Sequence, residues 1–321
     1  MVLQCRAAFG ILKHPINLGF AMQLIPGGIH VMQYAFFDAQ GALDRQAMRR
    51  QARAAIEAGA HGVAVLGLAT EVNKLAEAER ATLVRWLAED LDGRLPFAVT
   101  IAGGTVEAQV LLARHAQDVG AAWLILQPPP LQRMPEADCA RFFLQVMEEV
   151  DVPVAIQNAP EYTGIGLSDE TILALAAQRP NFRLIKAEGA AVTIARTIEA
   201  TRSALRVFNG RGGLELIDNL RAGCAGMIPA TDTFDYQVRI FELMRSDTTA
   251  DVRQAEQLYQ HILPAIVFVM QSLDSLICYG KRIAALRLGL GEVHDRAPAM
   301  RPTAFGLECA QRYARALGPL P

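Results

Sequence analysis

The sequence has no excess of charge of either sign. Its 321 residues include 31 Lys+Arg and 33 Asp+Glu, which gives a formal net charge of −2. A chain of this charge has no basic field to attract nucleic acid and no acidic tail, so we predict no nucleic-acid partner. Apolar residues make up 52% of the chain, and this composition excludes a disordered or collagen-like protein.

Cysteine and histidine show no metal-binding pattern. An odd number of scattered cysteines without CxxC spacing argues against a disulfide framework and against a zinc site. The six histidines are also dispersed, so we interpret them as packing or surface residues and predict no metal. Free cysteines are typical of a reducing compartment, and we expect a cytoplasmic protein. The five cysteines are Cys5, Cys139, Cys224, Cys278 and Cys309.

Long uninterrupted apolar runs are absent as well. Residues 1–26 are fairly apolar, but Arg6, Lys13 and His14 interrupt them, and no clean small-residue cleavage site follows. We therefore predict no membrane span and an irregular extension over residues 1–27. A start codon placed too early, with Met22 as the true start, and a weak signal peptide are the alternatives.

Short apolar runs alternate with longer stretches of helical period from Gly28 to about Thr231. Runs that are apolar at successive positions suit strands buried on both faces of a parallel sheet. Eight such units predict a (β/α)8 TIM barrel, and the absence of GxGxxG after the first run disfavours an open doubly wound sheet. The eight predicted strands are His30–Phe36, Gly62–Leu66, Phe97–Ile101, Trp123–Leu126, Val154–Ile156, Arg183–Ile185, Arg206–Phe208 and Gly226–Ile228.

The helical stretches between the strands carry end signals. Asp44 and Ser168 are suited to N-caps, and several glycines stand where helices should end. No strand signal follows Arg245, so we predict a barrel over residues 28–246 and a C-terminal helical segment over 247–321. The predicted helices are Asp44–Ala58, Glu77–Leu91, Thr105–Val119, Pro135–Val150, Ser168–Gln178, Ala190–Thr201, Gly213–Ala222, Phe234–Arg245, Asp251–Met270, Ser275–Leu288 and Thr303–Leu317.

Active groups of such a barrel lie at the carboxyl ends of the strands. Lys186 ends the sixth strand, and burial there would lower the pKa of its amine and favour the neutral nucleophile. A neutral amine can condense with a ketone to form an imine. A lysine that reaches solvent or pairs with Glu188 is an equally weighted alternative.

Several stretches occur in the order typical of a known family. They are Phe36–Asp44, Gly62–Gly67 leading into Glu71, Leu75–Arg80, Pro153–Pro160, Thr163-Gly164 and Lys186. In this order the chain resembles the dihydrodipicolinate synthase / N-acetylneuraminate lyase family of Schiff-base barrel enzymes, over roughly residues 28 to 290. The resemblance implies a 2-keto acid substrate, Lys186 as the imine-forming residue, no metal or other cofactor, and a homotetramer or homodimer.

The departures from the family pattern indicate which kind of member this is. Members commonly carry Gly-Thr-Thr-Gly-Glu after the second strand, where the threonines bind the substrate carboxylate, but here Leu68, Ala69 and Thr70 precede Glu71. The tyrosine that usually shuttles protons at the end of the fifth strand is Gln157, and an amide is no general acid near neutral pH. The arginine that binds a second carboxylate in the synthase is replaced by Tyr162. Synthesis of dihydrodipicolinate and cleavage of sialic acid are both disfavoured.

The altered residues are more similar to the branch of L-2-keto-3-deoxyarabonate dehydratase, which carries Gln-Asp-Ala-Pro and Lys-x-Glu at the corresponding places. Here the counterparts are Gln157–Pro160 and Lys186–Glu188. We therefore expect a dehydratase or aldolase acting on a 2-keto acid, with a 2-keto-3-deoxy sugar acid as the favoured class. A catalytically silent barrel that binds a keto acid as sensor or scaffold is the alternative.

The candidate residues follow from this expectation. Lys186, Glu71 and Gln157 are the candidate catalytic residues. For Glu71 we also weigh an acid at a helix N-terminus or an ion pair with Lys74 or Arg80. For Glu188 we weigh an ion pair or a charge in the first turn of a helix. The glycines after the seventh strand could hold an anion through backbone N–H groups or could form a tight turn. The candidate substrate-binding residues are Thr70, Leu68, Ala69, Asn158, Glu188, Gly210 and Arg211.

Overall fold

Parallel strands close into a barrel in the computed structural model, which describes residues 27–130, 134–201, 204–246 and 248–321. Each strand pairs with its sequence neighbour, and β1 pairs with β8 to close the ring. The predicted TIM barrel is thereby confirmed, whereas the predicted extension lies outside the described residues except for Gly27. The strands are β1 Gly28–Met32, β2 Gly62–Val65, β3 Phe97–Ile101, β4 Trp123–Leu126, β5 Val154–Asn158, β6 Phe182–Ala187, β7 Arg206–Asn209 and β8 Gly226–Met227.

Helices follow the strands and surround the barrel. The predicted N-caps are present, since the Asp44 carboxylate accepts from Gln46 N and Ala47 N and the Ser168 hydroxyl accepts from Thr171 N. The helices are α1 Arg45–Glu57, α2 Glu77–Leu91, α3 Val106–Asp118, α4 Glu136–Met147, α5 Pro160–Thr163, α6 Asp169–Gln178, α7 Ala191–Thr201, α8 Leu216–Arg221, α9 Phe234–Ser246, α10 Thr249–Val269, α11 Leu273–Ser275, α12 Lys281–Leu288 and α13 Ala304–Leu317. The turn Leu276–Gly280, between α11 and α12, is π-helical.

The first strand differs from its prediction over His30–Phe36. It begins at Gly28, which pairs with Gly226, and ends at Met32. After Met32 the backbone of Tyr34 bonds to a side chain instead of a neighbouring strand: Tyr34 N donates to Gln51 Oε1, and Gln51 Nε2 donates to Tyr34 O, both at 2.9 Å. Because the Gln51 amide satisfies these backbone groups, the apolar run can leave the sheet while it stays buried.

The helix predicted over Gly213–Ala222 is also shorter than expected. It spans Leu216–Arg221, since Gly213 and Glu215 take left-handed backbone angles with φ of 94° and 55°. Such angles interrupt a right-handed helix, so the glycine cluster forms a tight turn before α8.

Aromatic side chains pack together inside the barrel. His30 meets Trp123 and Phe208 edge-on, with ring centroids 5.5 and 5.3 Å apart, and Trp123 lies 5.5 Å from Phe208. All three are fully buried. The barrel interior is therefore a packed core, and any open site must lie at one of its ends.

The predicted C-terminal helices are present. Among the described residues no single helix has the length and apolar character needed to cross a membrane. The α10 helix and the segment Leu273–Leu288, which are bent by 109° relative to each other, meet that criterion only as a pair, by length and composition.

Candidate active site

Lys186 lies at the carboxyl end of β6, one residue before the strand ends. Its Cα pairs with Gln157 in β5 and with Phe208 in β7. Phe208 belongs to the aromatic cluster inside the barrel, and residues that pair directly on neighbouring strands face the same side of a sheet. The Lys186 side chain, only 5% exposed, therefore extends from the barrel interior to its carboxyl-terminal mouth.

A cavity opens at this mouth and contains Lys186 in its wall. It encloses about 500 Å³ of empty space, including the part open to solvent. Strand ends and the loops after them form its floor, and residues from the C-terminal helical segment cover it. The lining residues are Met32, Leu68, Ala69, Tyr162, Lys186, Glu188, Arg211, Gly212, Ile228, Ala230, Met270, Leu273 and Leu276.

Glu188 is the acidic partner of Lys186 in the cavity, so the ion pair weighed as the alternative for each of these two residues is present. The distance between Lys186 Nζ and Glu188 Oε1 is 2.6 Å, and both side chains are less than a tenth exposed. The other carboxylate oxygen accepts a hydrogen bond from the backbone N–H of Arg211 at 2.9 Å. A Cβ at Gly210 would lie 2.2 Å from that oxygen. The missing side chain at position 210 thus leaves room for the Glu188 carboxylate.

The loop after β2 contributes two of its four predicted residues to the cavity. Leu68 and Ala69 line it, so the positions where the resemblance implies threonine hydroxyls are apolar here. Thr70 is fully buried outside the lining, and its hydroxyl donates to Gln33 O at 2.6 Å. Thr70 therefore fastens this loop to the chain that follows β1.

Glu71 stands beside the cavity in a buried ion-pair cluster and is absent from the lining. Its carboxylate, with no exposed surface, pairs with Lys281 through Oε1 and with Lys74 at 2.6 Å through Oε2. Lys281 is also fully buried and has Asp295 at 3.6 Å. Of the roles weighed for Glu71, the ion pair with Lys74 is present, whereas Arg80 donates instead to the carbonyls of Leu75 and Ala102.

Gln157 is buried beside Lys186 and has a free donor. Its Oε1 accepts from Gln127 Nε2 at 3.0 Å, while its Nε2 has no hydrogen-bond partner among the described residues. The neighbouring Asn158 has a local role, because its side-chain amide donates to Leu167 O and accepts from Leu167 N. Gln157 is therefore the strand neighbour of Lys186, and Asn158 fixes the chain after β5, but neither residue belongs to the cavity lining.

Arg211 and Tyr162 are two polar lining residues of the cavity, in the segments after β7 and β5. Burial raises the pKa of the Tyr162 phenol, and the negative charge of Glu188 raises it further. The Arg211 guanidinium acts in the opposite direction through its charge and a hydrogen bond with the phenol. Tyr162 is thus a protonated donor at neutral pH, with a cation beside it that would stabilise the phenolate.

The sequence analysis missed several lining residues. Tyr162 was noted as a replacement for arginine but was not proposed for the site. Ile228 and Ala230 follow β8, and Met32 ends β1, so their positions at strand ends could have indicated them. Met270, Leu273 and Leu276 lie beyond the barrel in sequence, and no local pattern indicates that they cover its mouth.

Metal-ligand geometry is absent from the described part of the chain. No group of three or more His, Cys, Asp or Glu side chains there is arranged to hold a metal ion. The cysteines within it, Cys139, Cys224, Cys278 and Cys309, are buried and free. Burial raises the pKa of the Cys224 thiol to about 12, so this cysteine is an inert apolar residue and no candidate nucleophile.

Curated proteins of related sequence include lyases that act on keto-deoxy sugar acids. The chain is 28% identical over 256 residues to a protein of Escherichia coli K12 named probable 2-dehydro-3-deoxy-D-pentonate aldolase. The alignment covers 78% of this chain and 84% of that protein. The chain is also 28% identical over 245 residues to the L-2-keto-3-deoxyarabonate dehydratase of Azospirillum brasilense, at 74% and 78% coverage.

Solved structures share the whole architecture. A prophage protein of the dihydrodipicolinic acid synthase family from Escherichia coli K12, crystallised with pyruvate, superposes with a TM-score of 0.83 at 24% identity and covers 91% of this chain and 98% of its own. The dihydrodipicolinate synthase of Thermotoga maritima gives a TM-score of 0.82 at 21% identity, with 91% and 99% coverage. The family model described as the dihydrodipicolinate synthetase family matches residues 26–299.

Proposed function

Since this chain belongs to the dihydrodipicolinate synthetase family, and is thus a lyase of the class I aldolase type, we propose that it acts on a 2-keto acid through an imine on Lys186. The observation that carries this proposal is the Lys186 amine, which enters the cavity from the end of β6 and lies 2.6 Å from the Glu188 carboxylate. A neutral amine adds to the keto carbon and loses water to give an imine. The protonated imine then withdraws electrons from the bond that breaks.

Glu188 supplies the proton transfers that imine formation requires. Its carboxylate takes the proton from the Lys186 ammonium, which frees the electron pair of Nζ for attack on the keto carbon. The same proton then goes to the carbinolamine hydroxyl, which leaves as water. The hydrogen bond from Arg211 N and the space above Gly210 hold the carboxylate in place for both steps.

Gln157 and Glu71 take different parts in this proposal. Gln157 is the strand neighbour of Lys186 but does not line the cavity, so in this proposal it packs beside the amine and transfers no proton. Glu71 acts through Lys74 and Lys281, which surround its carboxylate, and is a positioning residue for the loop after β2. That loop presents Leu68 and Ala69 to the substrate.

The favoured substrate is a 2-keto-3-deoxy sugar acid. The names of two curated relatives support this class, since both act on five-carbon keto-deoxy acids. Among the described lining residues, Arg211 is the one cation besides Lys186, and its guanidinium also lies 3.4 Å from the Glu215 carboxylate. A homotetramer or homodimer and a cytoplasmic location stay predictions; the mass of the protein in solution tests the first.

A screen of keto acids with product analysis tests the proposed activity. The wild-type protein should convert at least one 2-keto-3-deoxy acid, and Glu188→Gln should lower kcat by about 100-fold because the amide cannot accept a proton. Glu161→Gln is the matched control and should keep kcat, since Glu161 is an exposed carboxylate that does not line the cavity. Equal activity of Glu188→Gln and the wild type would contradict the assigned role of Glu188.

A silent keto-acid-binding barrel is the second candidate. The observation that favours it is the loss of proton-transferring groups at three positions, which are Leu68, Ala69 and Gln157. It predicts a rise in Tm with keto acids and no turnover. Turnover that disappears in Lys186→Ala would eliminate it.

A further inference from the structure

The cavity contains few groups that can give up a proton. The described lining residues with an ionisable side chain are Lys186, Glu188, Tyr162 and Arg211. Amines, carboxyl groups and phenols are the side chains that exchange protons in catalysis, whereas a guanidinium does not. In the proposed function, the Lys186 nitrogen is bonded to the substrate as the imine, and Glu188 acts as the base. A reaction that needs a separate acid therefore has Tyr162 as its donor.

Tyr162 is held in place by its own short helix. In α5 the Tyr162 N–H donates to Ala159 O at 2.9 Å, and the Thr163 hydroxyl donates to the carbonyls of Ala159 and Ile165, each at 2.9 Å. Gly164 ends the helix with a left-handed φ of 73°. These bonds fix the backbone that carries the phenol, and the phenol lines the same cavity as Lys186.

We propose that Tyr162 is the general acid of this enzyme and protonates a hydroxyl that leaves from C4 of the substrate, so that the bond broken is C–O. This inference rests on the proposed imine at Lys186. It assigns the dehydratase branch of the proposed function to a named pair of residues, with Glu188 as base and Tyr162 as acid.

The elimination balances with these two groups alone. Glu188 removes a proton from C3 of the protonated imine, and the electrons of that C–H bond form the C2–C3 double bond of an enamine. The nitrogen electron pair then restores the imine, a C3–C4 double bond forms, and the C4–O bond breaks. The departing oxygen takes the phenolic proton of Tyr162 and leaves as water. Transfer of the proton from Glu188 to the phenolate, directly or through that water, resets both groups.

The charges around Tyr162 favour this order of events. The negative charge of Glu188 raises the pKa of the phenol, and Arg211 lowers it. Once Glu188 has accepted the C3 proton it is neutral, so its opposition to phenolate formation ends while the cation of Arg211 remains. Tyr162 thus becomes a stronger acid at the moment when the hydroxyl must leave.

The variant Tyr162→Phe, assayed with two different leaving groups, tests this assignment. The first series is a panel of 4-hydroxy-2-oxo acids of four to six carbons, whose departing oxygen must be protonated. The second is the matching series of 4-chloro-2-oxo acids, from which chloride leaves without a proton. We expect Tyr162→Phe to lower kcat for the hydroxy acids by roughly 100-fold and to leave kcat for the chloro acids within about threefold of the wild type. Tyr236→Phe, whose hydroxyl donates to Leu317 O outside the cavity, is the matched control and should behave as the wild type on both.

Two measurements on pyruvate separate this inference from the proposed function. Borohydride trapping reports the imine, and exchange of the pyruvate methyl protons in D₂O reports removal of the C3 proton. Both should persist in Tyr162→Phe, because neither requires a leaving hydroxyl. Loss of trapping in the wild type would refute the proposed function itself. If the imine is trapped, three results would overturn the role of Tyr162. The wild-type protein could fail to dehydrate any acid of the panel. Alternatively, Tyr162→Phe could lower kcat equally for hydroxy and chloro acids, or lower it for neither.

Discussion

The position of the Glu188 carboxylate depends on the absence of a side chain at Gly210. Gly210 approaches Glu188 so closely that a Cβ would lie 2.2 Å from the oxygen that accepts from Arg211 N. The sequence left open an anion held by the N–H groups of the glycines after the seventh strand or a tight turn. The structure contains the tight turn, and the N–H group that holds the Glu188 carboxylate is that of Arg211 and not of a glycine. Sequence spacing could not predict this contact, because Glu188 and Gly210 belong to different βα units.

The substitution Gly210→Ala tests this contact. The new methyl group would displace the Glu188 carboxylate from Lys186, and a misplacement of about 1 Å at a reacting group lowers kcat by about 100-fold. Gly189→Ala is the matched control, because the Cβ there would meet Ile194 at an ordinary 3.4 Å. Steady-state kinetics on a converted keto acid give the comparison, and equal kcat values for the two variants would show that the close approach has no catalytic consequence.

The loop after β2 is bound to the distant helix α12 by a buried ion pair. Lys281 begins α12 and pairs with Glu71, 210 positions earlier in the chain, inside a region with no exposed surface. Lys74 closes the cluster from the same loop. The ion pair with Lys74 was predictable because it spans three residues of sequence. The ion pair with Lys281 was not, since a single sequence gives no signal for a pairing between a barrel loop and a C-terminal helix.

The substitution Lys281→Met should destabilise the protein strongly. It leaves the buried Glu71 carboxylate with Lys74 as its one remaining partner. A buried charge left with no partner lowers the free energy of unfolding by about 3–5 kcal/mol, so with Lys74 in place we expect a loss near the lower end, about 3 kcal/mol. Lys74→Met, at a more exposed lysine, should have a smaller effect. Urea denaturation measures both variants, and Glu71→Gln combined with Lys281→Met should lose less than the sum of the single changes. Strict additivity of the two would exclude the coupling.

At the scale of the whole fold, the described part of the chain forms a closed barrel, and segments that follow the barrel in sequence cover its mouth. Its strands and most of its helices could be predicted from the sequence because buried parallel strands and amphipathic helices follow local patterns. The prediction of a class I lyase of this family is confirmed. The helices that supply Met270, Leu273 and Leu276 to the cavity are positioned by tertiary packing, so their contribution was not predictable. The cavity that contains Lys186 is thus formed by the barrel and its C-terminal cover together.

Covalent trapping of the intact protein tests the central claim most directly. The sequence has four lysines, Lys13, Lys74, Lys186 and Lys281, so a peptide map assigns a modified lysine without ambiguity. Incubation with pyruvate and borohydride should add one reduced pyruvate to the peptide that contains Lys186, and Lys74→Ala should be labelled like the wild type. Lys186→Ala should show no added mass. An unmodified Lys186, under conditions that label a known class I aldolase, would contradict the account.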